Sequence, residues 1–573
     1  MCTKMRHLKL YILVALLLMA GGVMQAQIRI DKQQCFGGYD EDLIEGRGII
    51  MEDDFILLAG NTYKPGVGTG LVPEYCNDAY VYSPAWIVKI NYDYELIDSW
   101  CYDMGIKDIL KVENGERNEY YLVGGAFCDI CGDTVRNMKV IKINSDGEEI
   151  WTSCFGNREG YYWEPGGGDL THDGGVLAFA NYFSSGCDIS HFYGVVDGWM
   201  VAMDSLGNMT WETTLGTQAA DLLDRVDRSD EGGYYVTMYN DPVGSYGNLA
   251  PCYDPPMNSN ATFIKLDSVG GIEWQECYGC NFGAGNEAGI WRFIDLEDGY
   301  IGIGTANCTD GDLQGAGWHP GYYGGGFPCA DIWLLRLDLD RNVIWSKCYG
   351  GSSHEGMTRV FPLEDGGFMA FGTTQSIDGD VASAAHLNLS DLNDGIGWVF
   401  RTDAHGNLLW ERCLGTKDGS TIFKEVVQHN DREYTIVGDV ICPRTGSSGD
   451  VNCSNCAFTY TPTPQVINRD YWILHITDTV DYTTLQVPER PMPKEEAVVE
   501  IYPNPTNNTV CVLLPNEAEA TEMELINMSG QVVATKTFSG MGGWMEMGDL
   551  PKGIYMLRIR NAEVCLTRKV LRE

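Results

Sequence analysis

Three groups of residues in this 573-residue chain have the types and spacing to do chemistry. The first is a series of acids, Asp42, Asp108, Glu159, Asp221, Glu287, Glu355 and Asp418, each standing where the chain turns into a new hydrophobic segment. Carboxylates gathered around one mouth hold a cation or meet a cationic ligand. An acid at a recurring turn also accepts backbone N–H bonds, and their irregular spacing favours that structural role. The second group is aromatic: Tyr182, Phe183, Phe192, Tyr193, Trp318, Tyr322, Tyr323 and Phe327. Flat rings of this kind stack on sugars while nearby Asp and Asn accept hydroxyls, or they simply pack their own loops. The third is the cysteines, including the close pairs Cys128/Cys131, Cys277/Cys280 and Cys453/Cys456, whose spacing suits zinc or redox work as well as disulfides.

Other signals are weaker. Asp310-Gly311-Asp312 and Asp378-Gly379-Asp380 lack the spaced ligand set of a calcium loop and read as turns. The glycine triplets at 166–168 and 324–326 open no helix, so a phosphate cradle has no support. The nine histidines show no His-Glu-x-x-His spacing, and no Gly-x-Ser-x-Gly elbow occurs. No catalytic residue is assigned.

The elements that must position these residues repeat along the chain. A turn-flanked strand (Asp365-Gly-Gly-Phe-Met-Ala-Phe) leads to an aromatic-aliphatic strand (Asp331-Ile-Trp-Leu-Leu-Arg-Leu) and then to a Trp-x-x-Cys segment (Trp345-Ser-Lys-Cys348). The closing tryptophans 100, 151, 211, 274, 345 and 410 stand 51 to 71 residues apart, room for four short strands. The middle strands number seven, but only six are followed by the closing segment; the seventh, around Cys35, stands alone near the N-terminus. The expectation is an all-β chain: a seven-bladed β-propeller over 27–482, closed by the N-terminal strand as the outermost strand of the last blade. A proline-rich linker at 483–497 and a small C-terminal β-sandwich at 498–573 follow.

Strand alternation then separates two faces. One carries tight turns. The other carries the long connections at 61–85, 181–197, 240–261, 306–331, 373–397 and 439–470, rich in aromatics and cysteines, and is the expected binding face. Cysteine placement predicts bridges from each loop to the outer strand of its own blade. Cys76 is expected with Cys101, Cys128 or Cys131 with Cys154, Cys252 with Cys277, Cys308 or Cys329 with Cys348, and Cys35 with a last-blade cysteine such as Cys442; Cys187 and Cys413 are left over.

Residues 1–26 read as a signal peptide, with Lys4, Arg6 and Lys9 ahead of a short apolar run, so the mature chain is exported and carries no transmembrane segment. Disulfides therefore outrank metal at the cysteines. A formal charge of −41 excludes nucleic acid and argues against an anionic membrane as partner.

Residues 498–573 resemble the C-terminal sorting domains of the Bacteroidetes type IX secretion system. The resemblance rests on Ile501-Tyr-Pro-Asn-Pro505, Glu524-Leu-Ile-Asn-Met-Ser-Gly-Gln531, Leu550-Pro-Lys-Gly-Ile-Tyr555 and Arg568-Lys-Val-Leu-Arg572. Pro503, Asn504, Pro505, Gly530, Gly553, Tyr555 and Lys569 are the matching positions. It implies delivery by the type IX machinery to the outer-membrane surface or beyond, with cleavage of this domain and attachment to surface lipopolysaccharide or release. Residues 28–480 similarly resemble secreted bacterial propeller repeats, a functionally mixed group. Together these readings favour a non-catalytic surface or secreted protein that binds glycan or protein on the long-loop face. The alternatives are a polysaccharide hydrolase or lyase using face carboxylates and a structural surface component. No cofactor is implied, with calcium left open by the acids.

Overall fold

In a computed structural model of the chain, the described residues are 28–37, 42–62, 84–112, 118–240, 247–250, 260–280, 288–323, 327–384, 395–417, 420–441, 447–452 and 469–480, then 500–502, 506, 508–527, 532–548, 550–560 and 565–572. The chain divides into two compact units, Met1–Val480 and Asp481–Glu573. The expected signal peptide, the linker, and the side chains of Asp42, Glu287, Tyr322, Tyr323, Phe327, Asp418 and Lys569 lie outside the described residues, as do Cys76, Cys252, Cys442, Cys453, Cys456, Pro503, Asn504, Pro505 and Gly530.

The first unit is built of antiparallel sheets whose strands are joined in sequence order. Sheet I is Asp42–Met51, Ile56–Thr62, Ala85–Ile90 and Leu96–Tyr102; sheet II is Gly105–Lys111, Glu119–Ile130, Asp133–Asn144 and Glu149–Phe155. Sheet III is Tyr161–Leu170, Val176–Tyr182, Asp197–Met203 and Met209–Leu215; sheet IV is Asp221–Arg228, Tyr234–Asn240, Asn260–Leu266 and Ile272–Tyr278. Sheet V is Ala288–Leu296, Gly299–Ala306, Asp331–Leu337 and Val343–Tyr349; sheet VI is Glu355–Pro362, Phe368–Thr374, Ile396–Thr402 and Leu408–Leu414. Sheet VII is Thr421–Asn430, Glu433–Ile441 and Arg469–Asp478, and its fourth strand is the N-terminal segment Ile28–Phe36. A single parallel bridge, Arg47 to Asp108, joins the first strands of sheets I and II. Each sheet packs on the next, and the first strand of sheet I also packs on three strands of sheet VII.

The repeat seen in sequence has a packing reason. The third-strand tryptophans Trp86, Trp199, Trp333, Trp398 and Trp472 are fully buried between sheets. A buried indole N–H needs an acceptor. In four of the five the outer strand supplies it from two residues before the position facing the tryptophan: Glu212 for Trp199 (2.6 Å), Ser346 for Trp333 (2.9 Å), Glu411 for Trp398 (3.0 Å) and, from the N-terminal strand, Gln33 for Trp472 (3.1 Å); Trp86 Nε1 has no acceptor among the described residues. The N-terminal strand thus does in sheet VII what an outer strand does elsewhere.

Neighbouring sheets are also joined by a repeated latch. The glycine after the outer strand of each of sheets II to VI donates its N–H to an Asp or Asn in the long connection of the following sheet: Gly156 to Asp188 (3.0 Å), Gly216 to Asn248 (3.1 Å), Gly279 to Asp312 (2.9 Å), Gly350 to Asp380 (3.3 Å) and Gly415 to Asp450 (3.2 Å). The N–H of the same Asp or Asn returns to the carbonyl of the same glycine at 2.8 to 3.2 Å. The preceding residue has positive φ in every case: Cys187, Gly247, Gly311, Gly379 and Gly449. Glycine supplies that conformation without strain, and four of the five positions carry it.

In the C-terminal unit the sequence expected separate strands at 510–514 and 522–527 within a sandwich. Instead one strand, Thr509–Asn527, runs through both and pairs with Glu500–Tyr502, Val532–Glu546 and Gly553–Arg560, and Cys565–Arg572 completes a single five-stranded sheet. Pairing is irregular between Leu513 and Thr521, where the chain reads Pro-Asn-Glu-Ala-Glu-Ala and offers no alternating apolar face. Val512, Met523, Leu525, Leu557, Ile559 and Val570 are among its buried core. Tyr555 is buried, its hydroxyl donating to the Pro551 carbonyl at 2.8 Å, and Gly553 has φ +151°.

A hydrogen bond to a charged acceptor contributes about 1.5–3 kcal/mol. Replacing Asp312 by Ala therefore lowers unfolding free energy by about that amount and exposes the 306–331 connection to limited proteolysis ahead of global unfolding. Equal cleavage rates in the variant and the parent protein would refute the latch.

Candidate functional site

The innermost strands carry one residue too many. Pairing with the second strand skips Lys107, Gly166, Asp224, Trp291, Thr358 and Lys424 in sheets II to VII, and in sheet I the skip extends from Ile44 to Ile49. Bulges at equivalent places re-aim side chains. The inner strand comes so close there that a Cβ on Gly304 would strike the Gly289 carbonyl, which explains the glycine beside the Trp291 bulge.

Two adjacent bulges make a hollow. Asp224 of sheet IV and Trp291 of sheet V line a recess of about 200 Å3 with Tyr239, Met238, Leu222 and Ile290. It lies at the strand ends from which the 240–260 and 278–288 connections leave the sheets. Trp291 is 37% exposed and Tyr239 40%, unusual for rings of this size in a structure with five fully buried tryptophans. The Thr237 hydroxyl fixes the Trp291 backbone at 2.8 Å. Asp224 is reached by solvent yet walled in on most sides, and that loss of water raises its carboxyl to about 7. A carboxyl between two aromatic faces can accept or donate hydrogen bonds to hydroxyls near neutral pH. The other described bulge residues are Lys107, Gly166, Thr358 and Lys424, so none of these sets a second carboxylate opposite Asp224.

Beneath the hollow lies a closed ionic layer. Arg47 reaches from sheet I to Asp169 of sheet III (2.8 Å) and to Asp227 of sheet IV. Arg225 and Arg292 converge on Asp227 at 3.3 and 3.0 Å, and Arg359 grips Glu425 with two hydrogen bonds. Burial would raise the Asp227 carboxyl, but Arg225, Arg47 and Arg359 outweigh it and hold it below the usual range. On the far side of this layer is a chamber of about 730 Å3 walled by Ile49, Ile109, Leu110, Leu170 and Val427, with Arg47, Asp169, Arg359 and Glu425 at its polar end.

The four described acids of the series are each held by neighbouring groups. Asp108 is 2% exposed and accepts the backbone N–H of Arg47 (2.7 Å) from sheet I and of Gly168 (2.9 Å) from sheet III. Asp221 accepts the N–H and hydroxyl of Thr217, and Glu355 accepts Gly351 N–H (3.2 Å) and the Thr374 hydroxyl (2.7 Å). Glu159 is exposed and accepts the Ser184 hydroxyl. Among the aromatics, Tyr182 is buried, its hydroxyl 3.3 Å from the Phe155 carbonyl and its ring edge-on to Trp199, so it offers a ligand no face. Phe183 is exposed, Phe192 and Tyr193 half-buried, and Trp318 half-buried with its N–H on the Cys329 carbonyl. Asp312 and Asp380, read in the sequence as turn residues, are latch residues. Sequence reasoning missed Asp224, Trp291 and Tyr239, because a bulge inside a strand leaves no mark in the repeat.

The cysteine scheme needs correction. Cys128 joins Cys154 within sheet II, as expected. Cys131, however, joins Cys187 in the connection of sheet III, and Cys280, just after sheet IV, joins Cys308 of sheet V. The latch brings each connection against the preceding sheet, so bridges cross the junction. Cys35, Cys101 and Cys277 are disulfide-bonded; Cys329, Cys348 and Cys413 are buried free thiols. Asp310 stands beside Cys280 and Cys308, whose sulfurs are committed to each other.

A carboxyl raised on folding binds its proton more tightly in the folded state, so the stability it contributes is full below the unfolded value and is lost as pH rises through the folded one. Asp224, raised to about 7, places that loss between pH 4 and 7. The thermal midpoint is expected to fall from pH 5 to pH 8, and to fall less in Asp224→Asn. An identical pH profile in that variant would show that Asp224 is not perturbed.

Residues 500–573 match the family of secretion system C-terminal sorting domains. The protein is therefore exported by the type IX machinery to the outer-membrane surface or the extracellular space. No helix among the described residues is long and apolar enough to cross a membrane. No curated protein matches the sequence. Solved structures similar to it include BamB from Moraxella catarrhalis (8% identity, 80% of this chain and 99% of that one, TM-score 0.34) and polysaccharide lyase Uly1 (7%, 78% and 99%, 0.41). A third is the α-L-arabinofuranosidase Arb93A from Fusarium graminearum (10%, 60% and 93%, 0.33). Likeness at this level carries no argument about activity.

Proposed function

We propose that the first unit is a seven-bladed β-propeller closed by its N-terminal strand, and that it is a non-catalytic carbohydrate-binding module. Sheets I to VII are its blades, and the pairing of Ile28–Phe36 with Arg469–Asp478 supports the closure. The observation that carries the binding reading is the hollow in which Trp291 and Tyr239 flank Asp224. A sugar ring stacked on the indole meets an acceptor for its hydroxyls without moving the scaffold. The ligand sits on the long-loop face, inside the ring of connections rather than on their tips. Phe183, Phe192 and Tyr193 in the connection of sheet III and Trp318 in that of sheet V would extend the surface available to a polymer.

Export brings this surface to material outside the cell. Cleavage of residues 498–573 and attachment of the propeller to surface lipopolysaccharide fits a binding protein that must stay with its cell. A hydrolase or lyase is the second reading; it requires a further carboxylate at the mouth besides Asp224.

The test incubates the full-length protein with a panel of host and microbial polysaccharides, scoring retention and new chain ends together. Retention without new ends, weakened about tenfold by Trp291→Ala and by Asp224→Asn, is the expected result. New chain ends lost in Asp224→Asn would make the protein an enzyme. Retention unchanged in both variants would move the site elsewhere.

A further inference from the structure

Two buried acids face each other at particular junctions, and the chain installs them in pairs. The third strands of sheets III, V and VII enter on Asp-x-Trp: Asp197 before Trp199, Asp331 before Trp333 and Asp470 before Trp472. In each case the first strand of the following sheet opens on an acid, Asp221, Glu355 or Asp42, five residues after the glycine that ends the outer strand (Gly216, Gly350, Gly37). Where the third strand has Pro84, Asn137, Asn260 or Ile396 at that place, the next strand opens on Gly105, Tyr161, Ala288 or Thr421. Acid is matched with acid, and its absence with absence.

Such pairing is costly by itself. Asp197, Asp221, Asp331, Glu355 and Asp470 are all at most 5% exposed. Both Asp331 Oδ1 and Glu355 Oε2 stand within 3 Å of the point a Cβ on Gly350 would occupy. Asp331 Oδ2 accepts His319 N (2.8 Å) and Nδ1 (2.9 Å), while Glu355 Oε1 accepts the Thr374 hydroxyl and Oε2 the Gly351 N–H. Asp331 Oδ1 has no hydrogen-bond partner, and neither does Asp197 Oδ1 at the sheet III–IV junction. Asp197 Oδ1 likewise lies against the position of a Cβ on Gly216. A third carboxylate, Asp380, reaches the same glycine through the latch at the sheet V–VI junction.

Facing carboxylates in a dry site repel unless a positive charge or a shared proton stands between them, and the His319 imidazole meets Asp331 at Oδ2 and Asp380 at 3.9 Å, leaving Asp331 Oδ1 unmet. We infer that the Asp331–Glu355 pair, and by the same pattern Asp197–Asp221, brackets a divalent hard cation of the calcium type. Oxygen-only donors at this place suit calcium over zinc or copper. The cation tethers the third strand of one sheet to the first strand of the next, stiffening the junction beside the long connections. His319 acts as a positioning residue, holding Asp331 so that its open oxygen meets Glu355.

The inference stands apart from the carbohydrate reading. Full-length protein stripped with chelator is titrated with calcium, then with terbium, whose emission Trp333 can sensitise; bound metal is counted by equilibrium dialysis and the thermal midpoint followed throughout. Wild type is expected to retain calcium and gain thermal stability. Glu355→Gln is expected to lose about one equivalent and its share of that gain while keeping the wild-type circular dichroism spectrum. If Glu355→Gln fails to fold, Asp331→Asn is read in the same way, and Asp197→Asn tests the second pair. Wild type that retains no calcium, or variants with undiminished stoichiometry, would overturn the inference. Stabilisation on lowering the pH with no effect of calcium would assign a shared proton to the pair instead.

Discussion

The constraint on which the structure rests is the latch between sheets. A twisted four-stranded sheet buries little by itself, and its core forms only when the next sheet is laid against it. The glycine closing the outer strand of each of sheets II to VI exchanges two hydrogen bonds with an Asp or Asn of the next long connection, from Gly156–Asp188 to Gly415–Asp450. This ties the long connections to the preceding sheet. It also brings cysteines of neighbouring sheets together, so the Cys131–Cys187 and Cys280–Cys308 bridges form across junctions.

Toward the centre the same stacking makes a different problem. Inner strands converge, and polar side chains projecting inward must satisfy one another. Arg47, Asp169, Arg225, Asp227, Arg292, Arg359 and Glu425 do so in one ionic layer, with Asp108 joining backbones on either side. Removing one member of such a buried set costs about 3–5 kcal/mol. The layer separates an aliphatic chamber on the tight-turn side from the Asp224–Trp291–Tyr239 hollow on the long-connection side. The bulges are what allow Trp291 to lie half open while Trp333, in the third strand of the same sheet, is fully buried.

Much of the fold was legible because its periodicity is written in side chains that must be buried. Trp86, Trp199, Trp333, Trp398 and Trp472 mark the third strand, and Cys35 with its neighbours revealed an outer strand separated from its sheet. The Cys128–Cys154 bridge was legible, but Cys131–Cys187 and Cys280–Cys308 were not, because own-sheet distance was the only guide, whereas the latch decides which chains meet. Asp312 and Asp380 were seen as turn residues, but their common role appears only when Asp188, Asn248 and Asp450 are set beside them. The site was least legible. Asp224 and Trp291 sit in strands whose pattern looks ordinary, and a bulge depends on pairing, which sequence does not display. Tyr182, conspicuous in sequence, belongs to the core because its hydroxyl finds the Phe155 carbonyl. In the C-terminal unit, family motifs carried what periodicity could not, while the strand running from Thr509 to Asn527 was read as two.

The most direct test of the binding account is footprinting of the full-length protein with hydroxyl radicals, with and without a polysaccharide it retains. Protection centred on Trp291 and Tyr239, with Phe183 and the outer tryptophans changed less, is the predicted result. Protection confined to the outer connections, with Trp291 as reactive as in the free protein, would contradict it.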